Sequence, residues 1–223
     1  RQIGLALHNY ESTHGHLPAA VKRTKDGKPG LSWRVAILPY IEENGLYEQF
    51  RQDEPWDSEH NLKLAQKMPP VFRCPQSNAP AGYTNYLGVA GKDGIFGPTD
   101  DIRGTRFANV RDGLSNTVMV IEVYDKAAVP WTKPVDFDPA EGMKINDNLG
   151  GLWSSDVFQA GLGDGSVRAI HRDADPAALK ALFTRSGGEV VSADDLERAR
   201  PRARAIPDAV EPADVDEAPA DTP

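Results

Sequence analysis

The period of the apolar residues changes near residue 70, and this change constrains the fold of the chain more than any other feature. Before that point apolar side chains recur every three or four positions, as on one face of a helix. After it they alternate, and turn-forming residues cluster every eight to twelve positions. Helices followed by sharply turning strands predict an α+β fold with an N-terminal helix packed on an antiparallel sheet, additional helices and long loops.

Three helices are predicted in the first seventy residues. The first carries an apolar stripe and ends at Gly15, and the second follows Ser32 and runs over 33–43 with a kink at Pro39. The third begins at the cap Ser58, turns Leu62 and Ala65 inward, and stops before Pro69. The stripe of the first helix predicts that it packs one face on a core, through Ile3, Ala6, Leu7 and Tyr10.

Strands are predicted in the second part of the chain. The dipeptide Asp164-Gly165 tolerates the positive φ angles of a tight turn and predicts a hairpin between the last two strands. Asp175 and Pro176 then predict the start of another helix. The predicted strands cover residues 71–73, 84–89, 95–97, 117–123, 157–162 and 166–170.

Charge and composition separate the chain into two parts. The 25 basic and 33 acidic side chains give a net charge of −8, which argues against nucleic acid as a partner. Six acidic side chains lie in residues 205–223, where there is no Lys or Arg. We predict a domain over 1–191, a short helix at the start of 192–223, and beyond it a disordered tail rich in Pro, Ala and acidic residues.

Glu122 is the most informative single acidic residue, because it lies within the apolar strand TVMVIEV. An ionised carboxylate there would lose hydration unless a partner met it. Arg34, in the first turn of the second helix, is the predicted partner, and the pair would lock helix to sheet. The alternative is that Glu122 faces solvent on an edge strand.

Two tryptophans lie in proline-rich loops, Trp56 in EPWD and Trp131 in VPWTKP. Loop aromatics beside polar groups often grip a protein or a glycan, so a cleft lined by Trp56 and Trp131 is a candidate binding site. The alternative is that both rings anchor long loops to the body of the domain.

Metal and catalytic motifs are weak in this chain. His8, His14 and His16 have poor spacing for a zinc site. Asp156 with Asp164, or the pair at residues 100–101, could supply oxygen ligands to calcium. The sequence contains no twelve-residue calcium loop, however. The alternative is that Asp164 is simply a turn residue. No nucleophile elbow or phosphate loop is found, so we expect no catalytic residues and a protein that is not an enzyme.

Seven blocks occur in an order that resembles a known family: QIGLALHNYESTHGHLP, SWRVAILPYIEENGLYEQF, DEPWDSEHN, FRCP, DGLSNTVMVIEV, VPWTKP and GDGSVRAI. The family is the planctomycete-type prepilin-like domain of unknown function 1559, which is also named for an H-x(9)-D-G signature or filed as solute-binding-like. The resemblance covers about residues 1–191. The signature His would fall at Ser154, so no role of that His is transferred to this chain.

The resemblance implies a pilin-like head whose N-terminal membrane helix, with a leader cut by a prepilin peptidase, precedes Arg1. It also implies an upstream Cys as a disulfide partner for Cys74, in an oxidising compartment; the alternative is a buried free thiol. The implied function is a non-catalytic, extracytoplasmic pseudopilin-like module in cell-envelope assembly or secretion. Its partners would be envelope proteins or further copies of itself, with membrane contact only through the missing helix. The alternatives are a module that binds a solute or glycan, and an enzyme without a recognisable motif.

Overall fold

The computed structural model describes residues 1–98, 103–139, 149, 152, 156–189, 191 and 196. The aspartate pair at 100–101, the signature position 154, the helix predicted over 192–200 apart from residue 196, and the predicted tail over 201–223 lie outside these residues.

Short helical segments follow one long helix in the first part of the chain. Helix α1, Gln2–His14, ends at Gly15, whose φ of 74° places it in the left-handed region that favours glycine. The second predicted helix is split into α2, Trp33–Ala36, and a 3-10 turn, Leu38–Ile41, because Pro39 cannot donate the next helical hydrogen bond. Short helices also form at Asn44–Tyr47 (α3), Glu59–Leu64 (α4) and, later in the chain, Pro176–Leu182 (α5).

The strands form two antiparallel sheets. Strand β1, Tyr83–Thr84, pairs with β4, Val129–Pro130. The main sheet has the order β2-β3-β5-β6, with β2 at Tyr86–Gly88, β3 at Val118–Glu122, β5 at Val157–Leu162 and β6 at Val167–His171. The α+β fold with an N-terminal helix and antiparallel strands is therefore confirmed, as is the β5–β6 hairpin.

Two predicted strands are wrong. Residues 71–73 fall largely in a 3-10 turn, Pro70–Phe72, because the two prolines at 69 and 70 remove the donors that a strand would use. Residues 95–97 form a turn that bends back, with the Phe96 N–H donating to the Val89 carbonyl over 2.8 Å. Leu62, expected on the inner face of α4, is 48% exposed.

Strand β3, in the interior of the main sheet, is covered on both faces by apolar side chains. All five residues of β3 are buried, and a bulge between Val118 and Val120 shifts its register against β5. Met119 and Val120 pack with Ile3, Leu7 and the first seventy residues. The opposite core contains Val118, Ile121, Val123, Phe158, Ala160, Leu162, Leu179 and Leu182. A strand buried on both faces has no polar side, which explains why the apolar run of β3 shows no clean alternation.

Helix α1 is fixed to the turn of the β5–β6 hairpin. The His8 ring nitrogen Nε2 lies 2.8 Å from the Gly163 carbonyl oxygen. A side-chain carbon on Gly4 would come within 3.3 Å of the Gly165 Cα, so helix and turn approach more closely than most side chains allow. The first turn of α1 thus lies directly beside the sheet.

Arg34 does meet a buried carboxylate, but the predicted partner Glu122 is wrong. Its guanidinium Nη2 donates to the Asp136 Oδ1 over 2.7 Å, and its Nε donates to the Tyr86 carbonyl over 3.1 Å. Asp136 also accepts from the Trp33 indole and from the Gly88 N–H. The pair joins α2 to β2, so Arg34 does tie a helix to the sheet.

Candidate functional site

A groove of about 360 Å³ lies between the first turn of α1, the 3-10 turn at Pro70–Phe72 and the β3–β5–β6 part of the main sheet. We call it the α1 groove. Its volume lies within the range of roughly 300–1,000 Å³ found for small-molecule pockets, but most of its walls are apolar. The apolar lining includes Ile3, Val71, Met119, Val120, Leu162 and Val167.

The groove exists because the two faces of the β5–β6 hairpin are covered unequally. Along β5, buried residues alternate with half-buried ones, and the buried set faces the core on the α5 side. The half-buried Gln159 and Gly161 line the groove instead. On the outer strand β6, Val167 is 46% exposed. This side of the hairpin therefore presents apolar surface beside α1.

A buried polar cluster of Cys74, Tyr86 and Glu122 lies at the inner wall of the groove. The register of β2 with β3 places Tyr86 directly opposite Glu122. The Cys74 thiol donates to the Glu122 Oε1 over 3.2 Å, and the Tyr86 hydroxyl lies in hydrogen-bonding contact with the Cys74 sulfur. The Gln159 N–H donates to the other carboxylate oxygen of Glu122 over 3.4 Å. Of the three, Tyr86 also lines the groove.

Burial raises the pKa of all three groups in this cluster. For Glu122, the hydrogen bonds from Cys74, Gln159 and the Leu152 N–H oppose the rise in its pKa. The pKa of Cys74 is raised by burial, with the neighbouring carboxylate of Glu122 adding to it. The pKa of Tyr86 is raised far above its ordinary value, by burial first and then by Cys74 and Glu122.

These directions determine what the cluster can do chemically. A nucleophilic cysteine needs a lowered pKa, commonly from a neighbouring cation, whereas Cys74 is buried beside a carboxylate that disfavours the thiolate. Its thiol stays protonated and donates a hydrogen bond to Glu122. The cluster therefore favours a structural role, in which polar groups satisfy one another beneath the groove. The alternative of Glu122 facing solvent is wrong, since its side chain is buried and the residue is 1% exposed.

The predicted cleft between Trp56 and Trp131 is wrong, because Trp131 is a core residue. Trp131 is 0% exposed, stacks on Phe72 at a ring distance of 5.6 Å, and donates from its indole to the Ala65 carbonyl over 2.8 Å. Trp56 is half-buried, with the Lys133 ammonium 5.4 Å from its ring centre. The alternative interpretation, that Trp131 anchors a long loop, agrees with this packing.

The structure does not bring together the two candidate calcium ligands Asp156 and Asp164. The two residues lie before and after β5, and six strand residues separate them by roughly 20 Å. The Asp164 carboxylate instead accepts the Ser166 N–H over 2.9 Å within the hairpin turn, and Gly165 there has a φ of 82°. Asp164 therefore serves the turn, as the alternative interpretation had it. Within the described ranges, no group of three or more His, Cys, Asp or Glu side chains is arranged to hold a metal ion.

Two important positions were missed in the sequence. Asp136, the partner of Arg34, lies between two apolar residues in VDFD, and this placement was the only available signal of a buried carboxylate. Tyr86 lies within a predicted strand, and its contact with Cys74 depends on how the 3-10 turn at Pro70–Phe72 folds back, which has no local signal.

The comparisons with known proteins give one match. The family model described as "Protein of unknown function (DUF1559)" matches residues 1–90 and 80–154. No curated protein matches this chain, and no solved structure matches it. Across the part of the chain that the structure describes, no helix has both the length and the apolar character needed to cross a bilayer. The matched segments cover well over half of the chain, and the chain therefore belongs to the family of proteins of unknown function DUF1559.

Proposed function

We propose that this chain is a non-catalytic, extracytoplasmic, pseudopilin-like module that acts in the cell envelope by packing against a protein partner. The surface that carries the proposal is the α1 groove together with the exposed side of the β5–β6 hairpin. A helix that covers only part of one face of an antiparallel sheet leaves space for a second helix to pack beside it. The proposed occupant is an apolar helix of a partner protein.

The shape and chemistry of the groove support a helix as the occupant. Its lining is mainly aliphatic, and Gly161 presents no side chain to it. Val167, on the outer strand of the sheet, adds an apolar side chain that is 46% exposed. Leu5, on the outer side of α1, is 62% exposed. Apolar side chains exposed next to a groove are typical of surfaces that bind other proteins.

The buried cluster supports a non-catalytic role. Cys74 and Glu122, beneath the groove, are both buried and hydrogen-bonded to each other. A catalytic site at this position would need a thiolate or an accessible carboxylate facing the groove. The cluster supplies neither, so packing is the function that this geometry supports best.

The first experiment tests the location of the protein. The natural full-length gene product, carrying an epitope at its C-terminus, would be expressed in its native host, and intact spheroplasts would be treated with proteinase K. We expect cleavage of the epitope-bearing domain while a cytoplasmic marker stays intact. Protection of the domain until the membrane is lysed would contradict an extracytoplasmic location.

The second experiment tests the proposed surface. A photo-crosslinking amino acid would replace Val167 in the full-length protein, and the same replacement at Leu62 would serve as the matched control. Both side chains are similarly exposed, 46% and 48%, but Leu62 lies on α4, away from the groove. We expect a discrete crosslinked protein band from position 167 that is absent from position 62. Equal crosslinking from both positions, or none from either, would overturn the assignment of this surface.

A further inference from the structure

A second concavity, of about 430 Å³, lies between the C-terminal half of α1, helix α2 and the segment around residues 39–47. It is separate from the α1 groove and shares none of its lining residues. We call it the aromatic cavity and define it by Tyr10, His14, His16, Tyr40 and Tyr47. Its volume lies in the range of sites that bind small molecules.

The rings of the cavity form a continuous cluster. Tyr10 and His14 lie one helical turn apart on α1, with ring centres separated by 4.1 Å. The ring of Tyr40 lies 5.7 Å from that of Tyr10 in an edge-on arrangement, and the ring of His16 lies 6.2 Å from that of Tyr10. Four of the five residues are half-buried, namely Tyr10, Tyr40, Tyr47 and His16. The fifth, His14, is exposed, so the cluster opens to solvent there. The cavity therefore has walls of partly exposed aromatic rings.

Polar groups converge on the same space. The Tyr40 hydroxyl lies 3.2 Å from the His14 Nε2, and the His16 Nδ1 lies 2.7 Å from the Leu17 carbonyl oxygen. The second contact makes Nδ1 of His16 the protonated nitrogen and leaves its Nε2 for a ligand. Burial raises the pKa of Tyr10, and the nearby phenols of Tyr47 and Tyr40 add to the rise. The phenol of Tyr10 thus remains a neutral hydroxyl that can both donate and accept.

The charge of the lining favours an anionic ligand. Lys22 and Arg103 line the cavity together with the two histidines, and no Asp or Glu lines it in the part of the chain that the structure describes. Ammonium and guanidinium groups hold carboxylates and sulfates through charge-assisted hydrogen bonds.

One lining side chain has an unpaired donor. Gln52 lines the cavity, and its Nε2 is shielded from solvent without a hydrogen-bond partner among the described residues. An unpaired buried donor costs free energy, because it loses the hydrogen bond that it would make to water. An oxygen atom of a bound ligand that accepted a hydrogen bond from the Gln52 amide would remove that cost.

We propose that the aromatic cavity binds an acidic saccharide, a pyranose ring that carries a carboxylate or a sulfate. The apolar C–H face of the sugar lies against Tyr10 and Tyr40, and its hydroxyls bond with the tyrosine hydroxyls and the His16 Nε2. The acidic group lies toward Lys22. A purely apolar ligand would leave these polar groups unpaired, whereas a bare inorganic anion would make no use of the rings. The proposal does not depend on the packing function of the α1 groove.

Binding would be measured on the full chain by isothermal titration calorimetry and by chemical-shift changes. The probes are digalacturonate and galactose 6-sulfate, with galactobiose and galactose as the neutral partners and sodium sulfate as the inorganic anion. We expect saturable binding of at least one acidic sugar, at least tenfold tighter than its neutral partner and than sulfate. Equal affinity for acidic and neutral sugars, or no saturation by any sugar at millimolar concentration, would overturn the proposal.

Variants locate the binding. Tyr40→Ala and Lys22→Gln should each weaken binding of the acidic sugar at least fivefold, and Lys22→Gln should leave the affinity for the neutral sugar unchanged. Lys22 is exposed, so its replacement leaves the fold intact even if Tyr40→Ala does not. Trp56→Ala is the matched control, because Trp56 is a half-buried loop aromatic outside the cavity. Binding that Trp56→Ala weakens and Lys22→Gln leaves unchanged would place the site elsewhere and contradict the proposal.

Discussion

Arg34 and Asp136 form a buried ion pair, with 2.7 Å between Nη2 and Oδ1 and side chains that are 0% and 2% exposed. Burial lowers the pKa of Arg34 and raises the pKa of Asp136, and the contact between the two groups opposes both shifts. The pair joins three parts of the chain, because Arg34 also binds the Tyr86 carbonyl and Asp136 also accepts from Trp33 and Gly88.

Asp136→Ala should lower the free energy of unfolding by about 3–5 kcal/mol, because it leaves the Arg34 guanidinium buried without its counter-charge. Urea unfolding followed by circular dichroism measures this change. Glu59→Ala is the matched control: its contact with Lys63 is also 2.7 Å long, but the two side chains are 88% and 72% exposed. We expect that variant to lose less than about 1 kcal/mol. Equal losses would show that burial does not set the strength of the first pair.

Glu122→Gln should change how stability depends on pH. Burial raises the pKa of folded Glu122 above its ordinary value of 4.5, so the folded state binds this proton more tightly than the unfolded state. The stability that this adds is fully present below about pH 4.5 and is lost as pH rises through the raised value. Glutamine cannot ionise, so the stability of the wild type relative to the variant should fall as pH rises above 4.5 and then level off.

This difference would be measured by urea unfolding at intervals between pH 4 and pH 8. Its slope should not exceed about 1.4 kcal/mol per pH unit, the limit for one proton. Glu59→Gln serves as the control and should change the free energy of unfolding by less than about 0.5 kcal/mol at each pH, since Glu59 is exposed. A difference for Glu122→Gln that is flat or rises with pH would contradict the raised pKa.

Trp131→Ala should cost about 3–5 kcal/mol of stability, as expected for a large aromatic removed from a core. Loss of the indole also leaves the Ala65 carbonyl without its hydrogen-bond donor. Trp56→Ala should cost less than half as much, because the ring of Trp56 is only partly buried. Thermal unfolding of both variants compares them directly. Similar costs would mean that Trp56 is as much a part of the core as Trp131.

Gly165→Ala should destabilise the protein by about 1–2 kcal/mol, since Gly165 has a φ of 82° that disfavours any side chain. A new Cβ there would meet the His8 ring at an ordinary 3.7 Å, so the cost arises from the backbone and not from crowding. Gly45→Ala, within helix α3 and with open space around it, should be neutral or stabilising by about 0.5–1 kcal/mol. Chemical unfolding of the two variants should therefore shift in different directions, and a stabilising Gly165→Ala would contradict the hairpin turn described here.

Local sequence patterns predicted the elements whose shape depends on neighbouring residues. The stripe of α1 predicted Ile3 and Leu7 as core residues, and both are buried. The dipeptide Asp164-Gly165 predicted the β5–β6 hairpin, and Asp175 caps α5 by accepting two backbone N–H groups. These features are encoded within a few residues, so no distant contact was needed to recognise them.

Pairings over long distances were decided only by the tertiary structure. Arg34 meets a carboxylate 102 positions away, and the choice of Asp136 over Glu122 depends on how β2 lies between them. Trp131 lies in a proline-rich loop that looks exposed in the sequence, yet packing against Phe72 and Ala65 buries it completely. The sequence by itself determined the α+β class, the hairpin and the family. Which charges pair, which aromatics are buried and where the two concavities open depended on the packing of distant segments, because local patterns carry no information about which distant side chain will fill a given space.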